Sequence, residues 1–328
     1  MKIIKDFRVN QNNITIIATL VLFILLYSIG LITFPVFSKS QVFFNLLIDN
    51  AYLIIMATGL CFVIISGGID LSIAALLALT TMVVADLLQK GLNPILVIII
   101  ALGVGTIFGF VQGYLIATFD LHPWIVTLGG MFFARGACYL ISIQSIVITD
   151  NFFQETAKFR IKVIGSSFIS VNVIIALLVV IIAIYVGKFT KFGRTVYAIG
   201  GNQKSALLMG LNVHRSKVLV YMISGFASAM SGIAFSFYML SGYGLHCLGS
   251  EMDAIAACVV GGILLTGGFG YILGPTIGVL SMGTIQMLIM FQGNLSSWWT
   301  KIAVGMLLLI FIVLQRIIVI QREKQTVN

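Results

Sequence analysis

Charge is what this chain has least of. Only 9% of its 328 residues are charged, and ten acidic side chains face nineteen Lys and Arg. A soluble domain covers itself with a surface that is roughly 25–35% charged, so a soluble fold is excluded at the outset. Histidine is almost as scarce: His122, His214 and His246 fall in three separate predicted loops. The four cysteines, Cys61, Cys138, Cys247 and Cys258, have no metal-ligand spacing; three lie in apolar segments, where packing is the expected role, and Cys247 falls in a predicted external loop without an obvious partner. No paired-carboxylate pattern and no Gly-x-x-x-x-Gly-Lys-Ser/Thr phosphate loop occurs. Catalytic residues, a metal site and a bound cofactor are therefore not expected in this chain.

What is present is apolar. Hydrophobic residues make up 60% of the chain, and several runs approach or exceed the roughly 18 residues of a transmembrane helix. The expected fold is all-α: a polytopic membrane protein of about ten transmembrane helices, some short or broken, in one domain over 1–328. The first run, Ile14 to Phe34, has no small-residue cleavage site and reads as a retained span. Further spans are expected near 46–65, 71–88, 94–118, 124–143, 169–186, 218–238, 272–291 and 301–319.

The net charge of +9 reports topology and not nucleic-acid binding, because the cations sit at the ends of apolar runs. Lys2, Lys5 and Arg8 precede the first span, six cations lie between Gly187 and Lys217, and Arg316, Arg322 and Lys324 end the chain. The positive-inside rule puts all twelve, and both termini, in the cytoplasm. Even parity after the basic segment then requires a short crossing over Asp253 to Thr266.

Gly187 to Lys217 carries Lys188, Lys191, Arg194, Lys204, Arg215 and Lys217 and no acidic residue. Within it, Asn202 suits an N-cap and Gly210 a C′ position, which predicts a two-turn helix at the membrane surface. A helix so short is marginal alone and is expected to dock on another protein, although a plain surface loop has the same look.

Two glycine-rich breaks interrupt the apolar runs. In Ser66-Gly67-Gly68-Ile69-Asp70-Leu71-Ser72, paired glycines end one helix and Asp70 can cap the next. Such a break can offer backbone donors and acceptors at membrane depth to a polyhydroxylated ligand; the plainer reading is a tight turn. The second, Gly244 to Gly270, contains Glu251, Asp253, Gly261-Gly262 and Gly267-Gly268. There Asp253 reads by default as an N-cap and the glycines as close-packing points. Arg135 lies inside the fifth span, where an arginine marks a functional site, a structural pair or a snorkelling side chain. Trp124, Phe132 and Phe133 suit sugar stacking or simple packing, and Gln112 and Asn50 are candidate polar contacts.

These segments resemble the permease subunits of ribose-type sugar ABC importers. The resemblance runs through Phe192 to Asn202, Ile65 to Ser72 and Asp253 to Gly262. Within that family, Leu128 to Gly136 and Leu295 to Lys301 look most like one permease of a galactofuranose importer. Ala74 stands where these permeases often have glycine, and His246 and Cys247 where small residues are usual. The resemblance implies a monosaccharide path through an inner-membrane protein. It implies three partners: a second and different permease chain, a cytoplasmic ATPase that holds ATP and Mg, and an extracytoplasmic sugar-binding protein. On it, Ser66, Gly67, Gly68, Asp70, Ser72, Gln112, Trp124, Phe132, Arg135, Gly261 and Gly262 are expected along the path. Gly193, Arg194, Tyr197, Gly200, Gly201, Asn202, Lys204 and Gly210 are expected at the ATPase. The alternative from another class is an ion-coupled secondary transporter using Asp70 or Arg135; a structural scaffold would not explain the broken helices.

Overall fold

The structure is a computed structural model describing Ile14–Val327 except Asn294, Leu295 and Ser297, with side chains from Thr15 to Val313. The N-terminal cations Lys2, Lys5 and Arg8 and the side chains of Arg316, Arg322 and Lys324 lie outside the described residues. The fold is all-α apart from two small ribbons, with α1 (Ile14–Thr33), α2 (Ser40–Ile65), α3 (Ile73–Gln89), α4 (Pro94–Phe119) and α5 (Pro123–Ile141) leading off. After α6 (Asn151–Lys158) come α7 (Val171–Phe189), α8 (Lys191–Gly201), α9 (Gln203–Leu208) and α10 (Val213–Met239). The chain closes with α11 (Ser250–Val260), α12 (Gly274–Gln292) and α13 (Trp298–Val327). Seven of these helices are long and apolar enough to cross a membrane, and α3 and the described apolar part of α13 are shorter. The ten expected crossings thus each have a helix, but that expected over Asp253 to Thr266 is only the 11-residue α11.

The connections sort onto two faces. The 187–217 segment, with α8 and α9, marks the basic face; β1 (Ile146–Val147), α6, β2 (Arg160–Lys162), β3 (Phe168–Ser170) and β4 (Ser241–Gly242) lie on the far face. There β1 pairs antiparallel with β4, and β2 with β3.

The core is the packing of α10 against α4, α2 and α3. Lipid supplies no hydrophobic drive between helices, so close backbone approach must supply the contact. The sequence provides it: Gly105, Gly109 and Gly113 form one stripe of α4 against Gly225, Tyr221 and Val218 of α10, and Gly59 of α2 meets Ala227. Some hydroxyls of this core, such as Ser228 and Ser236, bond to carbonyls four residues back on their own helix, while Ser231 crosses to the Tyr52 carbonyl of α2.

Both glycine breaks end their helices in the same way. Gly67 has φ +85°, its N–H donates to the Ile64 carbonyl (2.9 Å), and Gly68 N–H reaches Val63 (3.0 Å). At the end of α11, Gly262 and Ile263 repeat this pattern on Val259 and Cys258. This is the Schellman cap, and it consumes the carbonyls and amides that a bare break would leave open. At about 1.5 Å per residue α2 is about 39 Å long, more than the roughly 30 Å hydrocarbon layer. The amides of Gly67 and Gly68 are engaged in this cap, so the break does not leave them free for a ligand.

Candidate functional site

Three arrangements stand out, one on each face and one between them. On the basic face, α9 is the short helix expected from its caps. The Asn202 side chain accepts from Ser205 N–H (2.9 Å), Gly210 takes φ +75°, and Leu211 and Gly210 N–H close a Schellman cap on Ala206 and Leu207. Only Ala206 is buried, while Leu207, Met209 and above all Leu208, 88% exposed, project outward beside Lys204. The sequence reading missed α8, which Thr190 caps by accepting from Gly193 N–H (3.2 Å). The signal was the amphipathic spacing of Gly193, Val196 and Ile199, the residues it buries.

Helix α8 is clamped to both breaks. Gly268 N–H donates to the Ile65 carbonyl (2.8 Å), and Tyr197 Oη donates to the Gly270 carbonyl (2.8 Å). Gly200 sits where a Cβ would strike the Ile65 carbonyl and the Gly268 backbone, so three backbones meet with no side chain between them. Of the residues expected at an ATPase, Gly193, Arg194, Tyr197, Gly200 and Gly201 stand on α8, while Asn202, Lys204 and Gly210 frame α9.

Between the faces lies a polar knot around Asp70, which is 2% exposed. Its Oδ1 accepts from Ser72 N–H (2.9 Å) and Ser72 Oγ (2.6 Å), and its Oδ2 accepts from Ser224 Oγ of α10 (2.7 Å). Ser72 Oγ also lies 3.2 Å from the Gln112 amide oxygen, while Gln112 Nε2 has no partner. Exchanging the amide's O and N, a choice the hydrogen-bond network decides, lets Gln112 donate to Ser72, whose own hydroxyl proton already goes to Asp70. The N-cap position of α3 belongs to Ser72, so Asp70 is not the expected cap; it closes a turn two residues upstream and ties the break to α4 and α10.

On the far face, two adjoining cavities of about 430 and 510 Å³ share Asn50, Tyr52, Gly283, Gln286 and Met290. The first adds Ser250 and Asp253 from the start of α11 and Thr300 and Lys301 from α13; the second adds Asn45, Asp49 and Tyr238. The start of α11, an 11-residue helix about 16 Å long, forms part of the first cavity's wall. Asp253 forms a bidentate pair with Lys301 Nζ (2.9 and 2.7 Å), not the default N-cap. Tyr238 Oη donates to Asp49 (3.1 Å). The lining thus combines amides, hydroxyls, a neutralised ion pair and the Asp49 carboxylate, groups that can meet the hydroxyls of a polar ligand.

The other expected path residues are elsewhere. Arg135 Nη1 donates to the Gly244 (2.7 Å) and His246 (2.9 Å) carbonyls, which staples the loop before α11 to the far end of α5; among the described residues it has no carboxylate partner. In that loop burial lowers the His246 imidazole below its ordinary 6.5, with the charge of Arg135 acting in the same direction, and burial pushes the free Cys247 thiol up to about 12. Trp124 and Phe132 are exposed on the outer side of α5 and touch neither cavity. Gly261 packs on Gly274, and Gly262 faces Thr15 at the start of α1. Among the path candidates, then, Ser72, Asp70 and Gln112 form one cluster with Ser66, Gly67 and Gly68 just before it. The far-face cavity is instead built mainly from residues that the sequence did not mark. Asn50 and Asp253 were the exceptions.

Comparisons with known proteins place this architecture. The model of the family described as "Branched-chain amino acid transport system / permease component" matches residues 42–312. The chain is 44% identical over 307 residues to the inner membrane ABC transporter permease protein YjfF of Escherichia coli, covering 93% of both. It is 38% identical to the fructose import permease protein FruG of Bifidobacterium longum, covering 95% of this chain and 93% of the relative. With the ribose import permease protein RbsC of Bacillus subtilis it shares 35% identity over 90% of each. No solved structure matches significantly. With its helical membrane fold, and with a family match that spans α2 to α13, this chain belongs to that family of ABC transporter permeases.

Proposed function

We propose that the chain is the membrane-spanning subunit of an ATP-driven importer in the inner membrane, and that its cargo is a monosaccharide, galactofuranose or a related sugar. One observation carries the division of labour. The basic segment, free of carboxylates, holds out a doubly capped helix with Leu207, Leu208 and Met209 exposed, a surface fit for a partner and not for water. That partner is a cytoplasmic ATPase holding ATP and Mg, which puts the basic face and both termini in the cytoplasm. The sugar arrives from an extracytoplasmic binding protein at the far-face cavities. There Asn50, Gln286, Tyr52 and the Asp253–Lys301 pair meet its hydroxyls, and a second, different permease chain completes the path. The fructose and ribose import named for two relatives supports a sugar over an amino acid. So does the cavity, whose single cation is already paired.

The test is transport by the intact complex purified from native membranes into liposomes. Uptake of labelled galactofuranose is expected to require ATP and to survive collapse of the proton gradient. In intact cells, Lys204→Cys is expected to resist an impermeant thiol reagent. Uptake driven by a proton gradient without ATP, or labelling of Lys204→Cys from outside, would overturn the reading; uptake of branched-chain amino acids in place of sugars would overturn the cargo alone.

A further inference from the structure

The basic face holds a second feature, a cavity distinct from the exposed α9 side chains proposed for the ATPase, although Arg194 and Tyr197 of α8 line it. It is a groove of about 640 Å³ between the first turn of α1, the end of α7, helix α8 and residues 268–273. Its wall is apolar, built from Ile16, Ile184, Ile272 and Leu273, and Lys188 and Arg194 stand at its rim. No carboxylate lines it. Among the described residues the only ion pairs are Lys90–Asp86 and Lys301–Asp253, so neither rim cation has a carboxylate partner among them.

The groove's position names its occupant. It opens between α1 and α7, which show apolar side chains outward along their length, among them Leu20, Ile24, Leu178 and Ile181. Those faces meet acyl chains, and the groove lies where they reach the headgroups on the basic face. A water-soluble anion would match the two cations and leave the apolar wall wet. A zwitterionic lipid would cover the wall and neutralise the cations poorly. An anionic phospholipid does both at once, since basic pockets between helices hold such headgroups while long cationic side chains reach up to the phosphate.

We propose that this groove is a binding site for an anionic phospholipid of the basic-face leaflet, with its phosphate on Lys188 and Arg194 and an acyl chain along Ile16, Ile184 and Ile272. The proposal rests on the chain's being a membrane protein and on the groove, not on the cargo.

The experiment reads lipid retention directly, without sugar or ATP. The complex is placed in phosphatidylcholine nanodiscs carrying graded phosphatidylglycerol, and retained phosphatidylglycerol is counted by native mass spectrometry. The double variant Lys188→Gln/Arg194→Gln is expected to weaken retention roughly tenfold or more, since each interfacial cation contributes appreciably. Ile184→Trp, which fills the groove, is expected to abolish it with the charge intact. Lys204→Gln, on the same face but outside the groove, should leave retention unchanged, and excess inorganic phosphate should not displace the lipid. Equal loss in Lys204→Gln, retention by the double variant, or displacement by phosphate would each overturn the site. Thermal unfolding in pure phosphatidylcholine checks that each variant is folded; if Ile184→Trp is not, the double variant decides alone.

Discussion

On the basic face, Ile65, Gly200 and Gly268 bring three backbones together, joined by a main-chain hydrogen bond of 2.8 Å with nothing but glycine to separate them. On the far face the comparable work is done by long side chains. Arg135 reaches across to a loop 109 residues away in sequence, and Lys301 reaches from α13 to Asp253. Backbone on backbone leaves no rotamer freedom, so motion imposed at α8 is passed to α2 and to the segment after α11 with little slack. Side chains around a cavity can turn to meet a ligand. The contrast fits the proposed division of labour, with drive at the basic face and cargo at the far one.

The sharpest way to break the comparison is Gly200→Val. Its Cβ would meet backbone on both sides, which cannot turn away, so a loss beyond about 4 kcal/mol, or no folded protein, is expected. Gly201→Ala, one residue on and with open space around its Cβ, should behave as wild type. Yield of folded protein and sugar uptake measure both; a functional Gly200→Val would refute the rigid junction.

Asp70 tests the link between the faces, with a smaller effect. Asp70→Leu strands the hydroxyls of Ser72 and Ser224 and the Ser72 amide, at about 1–3 kcal/mol for each group left unsatisfied. Asp70→Asn keeps one acceptor, and Ser224 can turn its hydroxyl to accept from the new amide, so most uptake should survive. Uptake and thermal stability of the two variants should therefore separate. If Asp70→Asn fails as badly as Asp70→Leu, the carboxylate's charge matters and the knot is more than structural.

The smallest effect concerns pH and belongs to the far face alone. Because burial holds the folded imidazole of His246 below 6.5, the unfolded chain takes up this proton first as pH falls. The contribution is complete above 6.5 and is lost as pH drops through the folded value. Unfolding temperature should fall between pH about 7.5 and about 5.5 more for the wild type than for His246→Gln. Identical pH profiles would mean that the loop held by Arg135 tolerates the charge.

Local grammar was legible in the residues themselves. Asn202 and Gly210 delimit α9 because a side-chain cap and a left-handed C′ residue act within a few positions of the helix they end. The apolar runs gave the spans for the same reason: hydropathy is additive along a segment. Helix α8 was half legible, since its spacing is amphipathic but its meaning depends on the α2 and α10 surfaces it covers. Arg135 shows where such reading stops. Its position inside a span was plain, but whether it faced a ligand, an acid or a carbonyl depended on a distant loop.

The sequence by itself therefore determined an all-α membrane fold, the capped basic-face helix and the absence of any phosphate loop, all properties of residues near one another along the chain. Only the tertiary structure decided that the two glycine breaks meet at Gly200, that Asp70 is held by Ser224 from 154 residues away, and that the start of α11 forms part of a polar cavity's wall. Those outcomes depend on which helices pack together, and in a membrane that choice rests on close backbone fit and buried hydrogen bonds, whose partners no local pattern names.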